Sequence, residues 1–152
     1  DSFTGNVTAT NYQDWIELHS LHFNINRSMG SSIGHPRRQG SRRLFFSDLT
    51  ISKRTDEATH QFFQHICSHS TLPTILIHAC YTGTQLTPHT QYTLEDSFIT
   101  HIDTQTTSTG FGTELITIQF NKIITTFIGR DDQNQQQSPQ IAGFNLETQQ
   151  LM

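Results

Sequence analysis

A chain of 152 residues is the length of one ordinary domain, enough to bury a single core and too short for two. Only 14% of it is charged and 33% hydrophobic, both below the usual soluble balance, so Thr, Gln, Asn, Ser and His supply much of the surface. A formal net charge of -4 excludes a general attraction to nucleic acid, and no apolar run approaches the roughly 18 residues of a membrane helix.

From Trp15 the apolar residues alternate as Ile16 and Leu18, then change phase to Leu21, Phe23 and Ile25. Period two predicts a long strand with one buried face, and the slip at His19-Ser20 predicts a bulge that curves it. With Leu21, Phe23 and Ile25 inward, His22, Asn24 and Asn26 fall on the opposite face. Residues 30–40 have no periodicity and carry Gly and Pro breakers, so they read as an extended loop of the kind that usually makes functional contacts.

Arg37, Arg38, Arg42 and Arg43 flank that loop's Gly40, and could pair with Asp131 and Asp132 of a neighbouring copy. The alternatives are a solvated charge cluster or, ranked last, a nucleic-acid patch, which lacks interleaved aromatics. Residues 44–53 resume alternation, with Thr50 and Ser52 facing away from Leu49 and Ile51. Asp56 and Glu57 then open a helix that Thr55 or Asp56 can cap, with Phe62, Phe63 and Ile66 as one apolar face.

Pro73 ends that region, and residues 74–82, 92–104, 113–129 and 141–147 read as further strands. A polar low-complexity loop over residues 130–139 separates the last two. The expected fold is mainly β: an antiparallel barrel of two packed sheets, one flanking helix and a long loop, all in a single domain over residues 1–152.

Reactive constellations are thin. His60, His65 and His69 do not share one helix face, so no metal is expected, and Glu95-Asp96 point to opposite faces unless a bulge intervenes. Ser68-His69-Ser70 lacks the Gly-x-Ser-x-Gly elbow. Cys67 and Cys80 have no Cys-x-x-Cys spacing and read as reduced, buried small residues. No catalytic residue and no cofactor are expected. Sparse charge offers little repulsion between copies, which suits self-association.

Three segments follow in order: Asp14-Trp15-Ile16-Glu17-Leu18, Phe46-Ser47-Asp48-Leu49-Thr50-Ile51-Ser52-Lys53 before an Asp and the helix, and Glu114-Leu115-Ile116-Thr117-Ile118-Gln119-Phe120-Asn121-Lys122-Ile123. In that order they resemble the Hcp (haemolysin-coregulated protein) family of type VI secretion systems. Ala142-Gly143-Phe144-Asn145-Leu146 resembles the family's terminal Gly-Trp-Asp/Asn signature with Phe for Trp. Relatives begin with a short apolar strand before the loop that residues 1–5 resemble, so a first strand is expected ahead of Asp1.

The resemblance implies a structural protein without enzymatic activity, whose hexameric rings stack as the inner tube expelled by a contractile sheath together with a spike. It implies His22, Asn24 and Asn26 as lumen or effector contacts, and Arg37, Arg38, Arg42, Arg43, Asp131 and Asp132 as contacts between subunits or rings. Nucleic acid and membrane insertion are not expected. With no basic-then-apolar start, the protein is expected in the bacterial cytoplasm during assembly and then outside the cell through the type VI apparatus. A phage-like tail-tube protein or a monomeric ligand-binding β-sandwich is the alternative.

Overall fold

The computed structural model describes residues 3–27 and 44–152. Two long antiparallel ribbons organise it. The first pairs β1 (Ser20–His22) with β4 (Leu49–Arg54) and, further along, β2 (Ile25–Arg27) with β3 (Leu44–Phe46). Between the two pairings, Asn24 and Ser47 bond to each other: the Asn24 amide donates to Ser47 Oγ at 2.8 Å and the Ser47 amide to Asn24 O at 3.0 Å.

The second ribbon is longer. β6 (Thr87–Gln105) faces β7 (Thr113–Gln119) over one half and β8 (Lys122–Phe127) over the other. Glu95 faces Lys122 and Phe98 faces Gln119, so β7 and β8 are collinear and keep one register across the break at Phe120-Asn121. Opposite that break Asp96 takes a φ of 51°, a left-handed value at which a non-glycine residue marks a bulge or bend. The buried positions slip there on both strands, from Leu94 to Ser97 and from Phe120 to Ile123.

That double slip turns the inward face of the ribbon, so one half joins β4 and β1 while the other joins β9 (Gln140–Asn145) and β10 (Gln150–Leu151). β5 (Leu72–Tyr81) lies along the other side of β6. The result is a curled antiparallel sheet whose two halves face each other across one core. Leu49, Ile51, Leu94, Ile116, Ile118 and Ile123 fill it, each stabilising the fold by roughly 1.5–3 kcal/mol through burial. Phe46 stacks on Phe144 at 5.0 Å and Phe23 meets Tyr92 edge-on at 5.8 Å, joining the two halves.

The helix α1 (Thr59–Ser68) caps this core through Phe62 and the half-buried Ile66. Its start is shaped one turn ahead of the regular helix, where Asp56 Oδ1 accepts the Ala58 amide and Thr59 Oγ1 accepts the Asp56 amide, a reciprocal arrangement of capping-box type. His69 closes the other end at φ 55°. Beneath α1, Lys53 is fully buried and its Nζ donates to Asp56 Oδ1 at 2.6 Å, Glu114 Oε2 at 2.9 Å and Arg54 O at 2.6 Å. Such a cluster fixes the helix over β4 and β7, because removing one partner strands a buried charge.

Residues 3–18 run over the surface as loop and extended chain. Gly5 donates its amide to Asp14 O at 2.8 Å, and a Cβ there would sit 2.2 Å from the Trp15 carbonyl oxygen, so only glycine permits the approach.

Several expectations need correction. Ladder pairing begins at Ser20 rather than near Trp15, and Ile25 is 53% exposed because the register changes at Asn24. Pro73 lies inside β5 instead of ending the preceding region, as an edge strand permits. Phe63 is exposed, leaving Phe62 and Ile66 as the apolar stripe, and Cys67 is exposed rather than buried. Both cysteines are free.

Candidate functional site

The outer face of β1, β4, β7 and β6 is the surface most distinct in character. Pairing register places His22, Thr50, Thr117 and His101 in one row across four strands. A second row holds Ser20, Ser52, Leu115 and Asp103. Between them run the inward residues Leu21, Ile51, Ile116 and Ile102, so strict alternation sends one set to the core and the other to water. Ser20 Oγ and Ser52 Oγ lie 2.6 Å apart. The two outer rows contain one carboxylate, Asp103, and neither lysine nor arginine.

His22 and Asn24 are exposed, and Asn26 Nδ2 donates to Asn24 Oδ1 at 2.7 Å, so the three proposed lumen residues continue this face along the first ribbon. Thr117 and His101 join them only through register, which sequence alone does not specify across the long connection from β4 to β6. Such a face offers hydroxyl, amide and imidazole groups at low charge and can bind polar surfaces by many weak contacts.

Arg37, Arg38, Arg42 and Arg43 lie outside the described residues. Asp131 is committed through Oδ1 to its own loop, accepting the amides of Gln133 at 2.9 Å and Gln135 at 2.8 Å. Asp132 is exposed beside it. Arg130 donates to Asn134 Oδ1 at 2.9 Å and lies over the Tyr81 ring at 5.9 Å, which places the acidic loop at the β5–β6 hairpin end. Asp96 sits at the bend of β6, while Glu95 accepts from Lys122 Nζ at 3.0 Å and raises that amine's pKa.

A polar chain ties the N-terminal segment to β5. Cys80 Sγ donates to Tyr12 Oη at 3.3 Å, and Tyr12 Oη and His78 Nδ1 share a hydrogen bond at 3.0 Å. Burial, reinforced by the Cys80 thiol, raises the Tyr12 pKa, and burial lowers that of His78, so both stay neutral near pH 7. Among the described residues no group of three or more His, Cys, Asp or Glu side chains converges as a metal site, and no helix is long and apolar enough to cross a membrane.

The family model described as Type VI secretion system effector, Hcp, matches residues 1–127. The chain belongs to the Hcp family. No curated protein matches it in sequence. Among solved structures it is similar to a type six secretion system protein, with a TM-score of 0.87 at 15% identity, covering 100% of this chain and 95% of that one. Hcp1 from Salmonella typhimurium gives 0.79 at 14% identity over 99% and 93% of the two chains. A type VI secretion system effector from Yersinia pestis gives 0.73 at 12% identity over 95% of each. These likenesses show the fold, and the family match makes the chain a type VI secretion tube protein. The Hcp match ends with β8, so the Gly143-Phe144-Asn145 motif lies beyond it.

Proposed function

We propose that the chain closes into hexameric rings that stack as the inner tube of a type VI secretion system. The outer face of β1, β4, β7 and β6 lines the bore, with His22, Asn24 and Asn26 as effector contacts extended by Thr50, Thr117 and His101. The observation that carries this reading is the pairing of the Hcp match with a broad wet sheet face whose two central rows hold one carboxylate and no cation. A channel of that character holds varied polar cargo without trapping it through ion pairs.

Closed rings need heterologous contacts that return to their start after a fixed rotation. Between rings, Asp131 and Asp132 meet Arg37, Arg38, Arg42 and Arg43 of the next ring, using the Asp131 oxygen its own loop leaves over. The role is structural rather than catalytic. Rings assemble in the cytoplasm, the contractile sheath encloses them, and they leave with the spike and bound effectors. Native mass spectrometry and negative-stain images of the purified chain test this: six-fold annuli are expected, and monomers alone at high concentration would overturn it.

A further inference from the structure

The central rows of the wet face carry one carboxylate, Asp103, and the row beside it begins and ends in imidazole. His22 on β1 and His101 on β6 are both exposed, with the half-buried Thr50 and Thr117 between them. Three strand spacings of about 4.8 Å separate the two rings by roughly 14 Å. Imidazole is the ordinary side chain whose charge changes between about pH 8 and pH 5. With both rings protonated, the single negative charge of these rows becomes a net single positive one, and no backbone has to move.

The groups around the row do not cancel that change. Asp48 flanks it on one side and accepts from Gln119 Nε2 at 3.4 Å, while Arg54 flanks the Ser52 row on the other, its guanidinium 5.7 Å from the Phe111 ring centre. The two offset each other, and carboxylate and guanidinium groups ordinarily keep their charges across this range. β7 presents Thr113, Leu115, Thr117 and Gln119, none of them ionisable, and Lys53 and Glu114 are paired on the buried side. His19 is exposed beside Ser20, and His65 and His69 of the α1 end border Phe98 and Thr100, so the further imidazoles add charge of the same sign.

We propose that this face is an acid-gated binder of carboxylate-bearing polypeptide: below about pH 6 it holds acidic segments of cargo across the row from His22 to His101, and near neutrality it lets them go. Charge complementarity selects the occupant. Two carboxylates four residues apart on an extended segment span about 13 Å at about 3.3 Å per residue, which matches the separation of the rings. The Thr50 and Thr117 hydroxyls lie where the intervening polar groups pass and can donate or accept. Acid gating rests on the reading of this face as the cargo surface, whether or not six copies close the ring.

The test titrates the whole chain by calorimetry with a capped Glu-Thr-Ser-Thr-Glu-Thr-Ser-Thr-Glu peptide at about pH 5.5 and about pH 7.5. Two exposed ion pairs predict binding about tenfold tighter in acid. His22→Gln and His101→Gln should each lower that ratio to about threefold and together to nearly one, with urea unfolding little changed because both positions are exposed. His60→Gln, on the exposed side of α1, should leave the ratio as it was. The same peptide with Gln for Glu should bind equally at both pH values. Equal affinity of the acidic peptide at the two pH values, or a ratio that survives the double substitution or the Gln peptide, would overturn the proposal. Rings without the pH ratio would remove this proposal and leave the tube reading; the ratio in a chain that stays monomeric would do the reverse.

Discussion

The β4–β7 wall and the β5 edge are built from the same kinds of residue and differ in what lies beside them. At the first, every strand has partners on both sides and alternation is strict: Leu49, Ile51 and Lys53 in, Thr50, Ser52 and Arg54 out. At the second, β5 has one partner among the described residues, Leu76 is 50% exposed, and the buried residues thin to Leu72 and Ile77. Packing on two sides turns a pattern into a rigid element, whereas one described neighbour leaves the alternation looser.

The sharpest way to break the contrast is at the charge cluster. Lys53→Ala leaves Asp56 and Glu114 buried without their cation and should cost about 3–5 kcal/mol in urea unfolding, with much of it recovered when Glu114 is also replaced by an apolar residue. A failure to recover would mean that the pair itself stabilises the fold. Matched truncations come next: Ile116→Ala on the enclosed wall should cost about 4 kcal/mol and Ile77→Ala on β5 about 2, because a less enclosed site relaxes around a cavity. Equal values would show that β5 is as tightly packed as the wall.

Smaller still, Tyr12→Phe should cost about 1–2 kcal/mol by leaving His78 Nδ1 and the Cys80 thiol without their shared hydroxyl. The His78 pKa is lowered on folding, so the unfolded chain binds more protons and stability falls as pH drops below about 6.5. His78→Gln should flatten that part of the urea midpoint against pH. The smallest effect is expected at the wet face, where His22→Ala should change stability by less than about 0.5 kcal/mol while altering effector retention in pull-downs.

Much of this architecture was legible in the residues. Alternation located β4 and β7, and the expectation of one strand over residues 113–129 was close, since β7 and β8 are collinear across a two-residue break. The helix itself was legible, but Asp56 and Glu57 precede α1 instead of forming its first turn, which begins at Thr59 with no acidic residue. What stayed hidden depends on register and neighbours. Nothing local ties His101 to His22, because their row forms only after β4, β7 and β6 align. Phe63 reads as core by spacing, yet it faces away from the sheet beneath α1 and the stripe narrows to Phe62 and Ile66. The short β10 has no periodic signal of its own.

The continuous hairpin of the second ribbon, bulged between Ile99 and His101, has a kinetic side. Its closing turn, residues 106–112, joins strands adjacent in sequence, so each rung formed from Gln105 and Thr113 onward encloses only a slightly longer loop than the last. Zipping past Asp96 carries the chain from one half of the sheet into the other without a new search. Substitutions along this ribbon, such as Thr104→Ala and Thr125→Ala, should therefore slow folding more than they speed unfolding, while changes in β1 and β10 should act mainly on unfolding.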